Sequence, residues 1–235
     1  MSAPFFFDER TALNALLELD STEATHITKA LRMRSGDAIL LTNGCGELFK
    51  AELTIDKHHV KAQVVEVLLI QDSAVAVHLG IAPTKNADRI EWLVEKAVEI
   101  GIGSITLLAC EHSERSKMSV DRLRRVAIAA LKQSQRTVLP AIHDVRNFRQ
   151  WVEECNADQR FIAHCHSGEE RMLLRDALNA GLSTALAIGP EGDFSQAEVA
   201  FAQTAQFKSV SLGDARLRTE TAALAGIHTF CLINQ

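Results

Sequence analysis

From Val75 onward the chain alternates apolar runs of strand length with stretches of helical period. This rhythm restricts the fold more than any other feature, because strands separated by helices argue for a parallel α/β sheet. Ala74–Ile81, Ile105–Ala109, Arg160–His164, Thr184–Ile188 and Ser209–Leu212 read as strands. Asp88-Arg-Ile-Glu91 has the pattern of a capping box. Behind it Ile90, Leu93, Val94, Ala97 and Val98 fall at helical spacing, and Gly101 closes the helix. A second helix over Val120–Ser134 carries an apolar stripe of Leu123, Val126, Ala127, Ala130 and Leu131, with arginines opposite. Ser195-Gln-Ala-Glu198 is another capping box, opening a helix to about Ala205, and Thr221–Ile233 is the last helix.

The first seventy or so residues have a different rhythm. Ala38–Thr42, Glu47–Ile55 and Val60–Ile70 read as strands, and Asn43-Gly44 between apolar runs is a hairpin signal. Short strands with tight turns suggest a small β-barrel. A helix from about Thr22 to Met33 precedes them, ending in the basic cluster Lys29, Arg32 and Arg34 before Gly36. The boundary is expected at Gln71-Asp72-Ser73, which divides the chain into 1–70 and 74–235.

The N-terminus has no basic n-region followed by an apolar run, so no signal peptide is expected, and no stretch has the length of a membrane span. Five cysteines without a C-x-x-C pair favour reduced thiols and a cytoplasmic location. His164-Cys165-His166 resembles a metal cluster, but on a strand Cys165 faces away from both histidines, so no metal is expected. The net charge of −5 gives no support to nucleic-acid binding. Its distribution is uneven, however. Between His112 and Arg136 lie Arg115, Lys117, Arg122, Arg124, Arg125, Lys132 and Arg136 against only Glu114 and Asp121. That stretch is either a solvated helix face or a phosphate-binding surface.

In an open parallel sheet, ligands bind at the carboxyl ends of strands. Two loops there stand out. One is Gly189-Pro190-Glu191-Gly192 after Ile188, and the other runs from Leu212-Gly213 through Arg216, Leu217, Arg218, Thr219 and Glu220 to Thr221. Glycines let a ligand approach the backbone, and proline stiffens the turn. Each loop taken alone is also compatible with an ordinary turn, and Thr219 or Thr221 with an N-cap. Neither matches G-x-G-x-x-G, Walker A or G-x-S-x-G, which leaves a dinucleotide site, a P-loop and a hydrolase elbow unsupported.

Taken together, Ile188-Gly-Pro-Glu-Gly192 with Ser195-x-x-Glu198, Leu212-Gly213 and Leu217-Arg-Thr-Glu-Thr-Ala222 resemble the signature of the RsmE family. Agreement extends to His26 with Leu31-Arg32-Met33-Arg34-x-Gly36-Asp37, to Glu91-x-x-Val94-x-Lys96-x-x-Glu99-x-Gly101, and to Gln133-Ser134-x-Arg136 with Leu139-Pro140. Those enzymes methylate N3 of a uridine in 16S ribosomal RNA of the small ribosomal subunit. The resemblance implies a C-terminal SPOUT-type parallel sheet with a trefoil knot, a PUA-like β-barrel at the N-terminus, and a homodimer. The implied donor is S-adenosyl-L-methionine, held by Ile188, Gly189, Pro190, Glu191, Gly192, Ser211, Leu212, Gly213, Leu217, Arg218 and Thr219. Arg218, then Arg216, would stabilise charge on the base, and Glu220 would orient an arginine or help with the proton. Arg32, Arg34, Arg115, Lys117, Arg122, Arg125 and Arg136 would contact RNA phosphates.

The chain departs from the family pattern in three places. Asp193 stands where a second glycine is usual, Ala215 and Arg216 where an arginine and an aliphatic residue are usual, and Ala3-Pro4 where a basic residue is usual. Two rival readings accompany this one: a knotted methyltransferase acting on a ribose 2′-oxygen or guanine N1, and a ribosome-assembly protein without catalysis.

Overall fold

The computed structural model describes residues 3–57, 59–71, 75–114, 118–166 and 171–235. Arg115 and Lys117 therefore lie outside the described residues. The chain forms two compact units, Met1–Asp72 with Leu131–Leu139, and Ser73–Ala130 with Pro140–Gln235.

The first unit contains β1 (Phe5–Phe7), β2 (Leu16–Glu18), α1 (Ser21–Thr25), β3 (Ala38–Thr42), β4 (Glu47–Asp56) and β5 (His59–Ile70). They form a five-stranded sheet of order β1-β3-β4-β5-β2. β1 runs parallel to β3, and the other pairs are antiparallel. Alternation along β4 points Phe49, Ala51 and Leu53 inward, and these pack with Phe6, Ile27, Ile39, Leu41, Val60 and Val64 into one core. The helix expected to reach Met33 is shorter. Asp20 caps α1 by accepting from the Thr22 and Glu23 amides, and the chain then widens into a π-helical turn over His26–Ala30. The Leu31 amide donates to His26 O at 3.0 Å, and Arg32 leaves the helix at φ 54°. Residues 131–139 pack in this unit, a return that a division between residues 70 and 74 does not include. Their backbone is tied to the β3–β4 turn, with the Gly46 amide on Thr137 O at 2.9 Å and the Leu139 amide on Gly44 O at 2.8 Å.

The second unit runs β6 (Val77–Ile81), α2 (Ala87–Ile100), β7 (Ser104–Ala109), α3 (Val120–Ser134, of which 131–134 belong to the first unit), β8 (Ala141–Asn147), α4 (Phe148–Glu153) and β9 (Gln159–Ala163). It continues through β10 (Met172–Leu173), α5 (Leu174–Ala177), β11 (Thr184–Ile188), α6 (Gln196–Thr204), β12 (Lys208–Ser211) and α7 (Thr219–Ile233). Seven strands form one sheet of order β10-β12-β9-β11-β6-β7-β8, and every neighbouring pair is parallel. The strand–helix alternation produces the expected sheet. β11 enters between β6 and β9 and is buried along its whole length, as both-face coverage requires. α7 then returns to pack on α2, β6, β11 and α5. A Cβ on Gly226 would lie 2.3 Å from Leu186 Cδ2, so the close seating of α7 on β11 depends on that glycine.

Helix termini differ in part from the sequence reading. Asn86, not Asp88, caps α2, its side chain accepting from the Asp88 amide. Gly101 closes α2 at φ 115° as expected. Ser195 and Glu198 make both bonds of the capping box. α7 begins at Thr219 with Arg218 as N-cap and no side-chain cap, so neither Thr219 nor Thr221 caps it.

Candidate functional site

Because all seven strands are parallel, the loops after β6, β7, β9, β11 and β12 emerge at one edge of the sheet. The loop after β11 is the most tightly built. Gly189 and Pro190 are buried, and Glu191 and Gly192 are exposed. The Asp193 amide donates to Pro190 O at 2.9 Å and closes a turn. A Cβ on Gly189 would sit 3.0 Å from Phe194 N, and one on Gly192 would sit 3.1 Å from His112 Cβ. Asp193 itself is left-handed, at φ 65°. Asp tolerates that region better than most residues, because its short side chain can bond the local backbone. Here one carboxylate oxygen accepts from the Phe194 amide at 2.8 Å and the other from the Cys165 amide at 2.7 Å. The departure from a second glycine thus preserves a backbone conformation that glycine would also provide.

Other contacts hold this loop against its neighbours. The Lys85 amide donates to Glu191 Oε1 at 3.2 Å, and the Glu111 amide to Glu198 Oε1 at 2.9 Å. His112 Nδ1 lies 3.1 Å from Asp193 O, and His166 Nε2 lies 2.8 Å from Phe194 O. His164 is buried, with Nε2 3.0 Å from Ser209 Oγ. His164 and His166 are thus engaged in the packing of this edge, and among the described residues no group of three or more His, Cys, Asp or Glu could hold a metal. Cys110 lies just beyond β7, and burial pushes its thiol up to about 12, with the Glu198 carboxylate adding to the rise.

The loop after β12 is more open. Ser211 Oγ donates to Gly213 O at 3.1 Å and accepts from the Gly213 amide at 3.2 Å. Gly213 has φ 126°, and a Cβ there would meet nothing within 4 Å. Leu212 and Leu217 are half-buried, and Asp214, Ala215, Arg216 and Arg218 are exposed. The guanidinium groups of Arg216 and Arg218 make no hydrogen bond or ion pair with any described residue. Thr219 and Glu220 are buried at the start of α7. The arginine that faces Glu220 is Arg89 of α2, with Nε 3.7 Å from Oε1. Glu220 Oε2 is, among the described residues, a buried oxygen with no partner. Sequence reasoning missed Arg89, which lay inside the segment taken for a capping box.

The basic residues fall in both units. Arg32 and Arg34 are exposed in the first, where Arg136 is half-buried. In the second, Arg125 is exposed, and Arg122 Nε is 2.7 Å from Glu91 Oε1. A separate open cavity of about 350 Å³ lies by the opposite, N-terminal ends of β6 and β7, lined by His78, Ser104, Thr106, His143 and Trp151 among others. Burial, and then the charge of His143, holds the His78 imidazole below its usual value.

Comparison with known proteins finds two domain families along the chain. Residues 71–230 match the RNA methyltransferase domain family, and residues 19–65 match the RNA methyltransferase PUA domain. Ribosomal RNA small subunit methyltransferase E of Rickettsia conorii is 29% identical, over 94% of this chain and 92% of that protein. The protein of the same name from Bacillus subtilis is 27% identical, over 86% of this chain and 84% of that one. Among solved structures, a "probable rRNA-methyltransferase" from Porphyromonas gingivalis is 36% identical with a TM-score of 0.90, covering 98% of each chain. A "putative methyltransferase" from Legionella pneumophila, solved in complex with the bound cofactor SAM, is 27% identical with a TM-score of 0.84, covering 100% of this chain and 99% of that one. The matched domains, the relatives spread over nearly the whole length and the superposable fold make this chain a member of the RNA methyltransferase family that includes the ribosomal RNA small subunit methyltransferase E proteins.

Proposed function

We propose that the chain transfers a methyl group from S-adenosyl-L-methionine to N3 of a uridine in 16S rRNA of the small ribosomal subunit. The observation that carries this reading is the family match over residues 71–230, which includes both glycine loops at the carboxyl edge of the sheet. The residues there fit the donor. Gly213 leaves its backbone open to close approach, and the segments 188–192 and 211–219 offer backbone donors and acceptors at strand ends. Ile188, Gly189, Pro190, Glu191, Gly192, Ser211, Leu212, Gly213, Leu217, Arg218 and Thr219 form the proposed pocket.

The bound donor supplies an electrophilic methyl on its sulfonium centre. The protein's own task is to place uracil N3 in line with that methyl and to help N3 lose its proton. Loss of the proton spreads negative charge over N3 and the two carbonyl oxygens that flank it. Arg218, exposed and unpaired among described residues, stabilises that charge, with Arg216 second. No bond links Glu220 to either of these arginines, and its unpartnered Oε2 supports the proton-accepting role. That oxygen is buried, so the role requires the first turn of α7 to shift when the base enters.

RNA phosphates are bound by Arg32, Arg34, Arg115, Lys117, Arg122, Arg125 and Arg136, with the PUA-like unit, residues 1–70, as one contributor and the methyltransferase unit, residues 74–235, as the other. The chain path is read as a trefoil knot, supported by the insertion of β11 between β6 and β9 and the return of α7 over α2 and β6. The protein acts in the cytoplasm as a homodimer. Exposed Trp92 on α2 and Leu232 on α7 supply apolar surface for self-association. Calorimetry with S-adenosyl-L-methionine, followed by transfer of labelled methyl to small ribosomal subunits, tests the reading. A chain that binds the donor and labels the RNA supports it, and a chain that does neither overturns it.

A further inference from the structure

We infer that Glu191, Asp193 and Glu198 are positioning residues that clamp the loops around the proposed donor pocket, each by accepting a backbone amide from the end of a different strand. The inference rests on the reading of Gly189–Gly192 as a donor loop. Glu191 Oε1 takes the Lys85 amide beyond β6 at 3.2 Å. Glu198 Oε1 takes the Glu111 amide beyond β7 at 2.9 Å. Asp193 Oδ2 takes the Cys165 amide beyond β9 at 2.7 Å. All three carboxylates belong to the segment that follows β11, which lies between β9 on one side and β6, then β7, on the other. One eight-residue stretch therefore ties the segments beyond three strands of the same sheet, and charged acceptors make these bonds stronger than neutral ones. Because the donors are main-chain amides, the clamp does not depend on the side chains at 85, 111 or 165.

The three carboxylates differ in how many oxygens they use. Asp193 uses both, the second on the Phe194 amide at 2.8 Å. Glu198 uses both, the second on the Ser195 amide at 2.9 Å. Glu191 uses Oε1 alone for its tie to Lys85. An amide side chain keeps one acceptor oxygen and replaces the other with a donor. Glutamine at 191 can therefore preserve the tie, whereas asparagine at 193 and glutamine at 198 each leave one backbone amide facing an NH2 group.

The test uses the full-length chain with Glu191→Ala, Glu191→Gln, Asp193→Asn and Glu198→Gln, read by hydrogen exchange without donor and by calorimetry with S-adenosyl-L-methionine. One amide of each pair should exchange about tenfold faster, Cys165 or Phe194 in D193N and Glu111 or Ser195 in E198Q, with donor Kd rising by about the same factor where the Cys165 or Glu111 tie is the one lost. Glutamine at 191 should recover most of the affinity that alanine loses. Loss of donor affinity with no faster exchange would make these carboxylates direct donor contacts and overturn the proposal. So would unchanged exchange and affinity in D193N, or a failure of glutamine to outperform alanine at 191. If E198Q does not fold, D193N decides alone, since Asp193 lies in a loop. A wild-type chain that binds no donor would overturn the pocket reading, while the exchange rates would still decide whether the ties hold the loops.

Discussion

Cys110 and Cys165 lie just beyond β7 and β9 at the same edge of the sheet yet have opposite chemistry. Burial and the nearby Glu198 charge push the Cys110 thiol up to about 12, so it carries almost no thiolate at neutral or mildly alkaline pH. Cys165 is exposed. Iodoacetamide at pH 8 should alkylate Cys165 and leave Cys110 unmodified in the folded protein, as read by peptide mass spectrometry, and labelling of Cys110 at a similar rate would contradict its burial. At Arg218 the expectation concerns turnover. Arg218→Ala should lower kcat by about a hundredfold with donor Kd changed by less than about threefold. Calorimetry showing lost donor affinity with methyl transfer intact would remove Arg218 from its assigned role. The residue types of the two loops were visible in the sequence, including the departure at Asp193. What Asp193 does was not, because its partner, the Cys165 amide, is 28 residues away along the chain. Arg89 was invisible for the same reason, since its meeting with Glu220 joins the starts of α2 and α7.

Among the elements, α6 and α7 carry the clearest expectations. Ser195→Ala removes one half of the capping box that opens α6 and should cost about 1 kcal/mol of unfolding free energy. Gly226→Ala puts a Cβ 2.3 Å from Leu186 where α7 crosses β11. Overpacking of this kind costs about 1–3 kcal/mol. Urea unfolding should show both losses with unchanged m-values, and a neutral Gly226→Ala would mean that α7 is free to lift from β11. Helices with long apolar stripes were readable, since α3 spans the residues that the 3.6-residue period marked. β8 was not, because this edge strand, Ala-Ile-His-Asp-Val-Arg-Asn, is mostly exposed and lacks an apolar run. The π-helical turn at His26–Ala30 was equally hidden, because its wider bonding leaves the same apolar residue, Ile27, facing the core.

For the whole molecule, alternation of strands and helices was enough to indicate a parallel sheet, but strand order was beyond local pattern. The placing of β11 between β6 and β9 depends on pairing across about a hundred residues, which no window of periodicity reports. The return of 131–139 to the first unit is likewise set by long-range bonds to the β3–β4 turn. If basic residues of both units bind phosphates, affinity for 16S rRNA should fall steeply with salt, with log K linear in log salt and a slope of several units. A salt-insensitive complex would exclude the proposed phosphate contacts. The chemistry delivered to the RNA is read by nucleoside mass spectrometry of 16S rRNA after incubation of small subunits with the protein and S-adenosyl-L-methionine. One new 3-methyluridine should appear, formed about a hundredfold more slowly with Arg218→Ala. A methyl group found on a ribose 2′-oxygen or on guanine N1, or no added methyl at all, would contradict it.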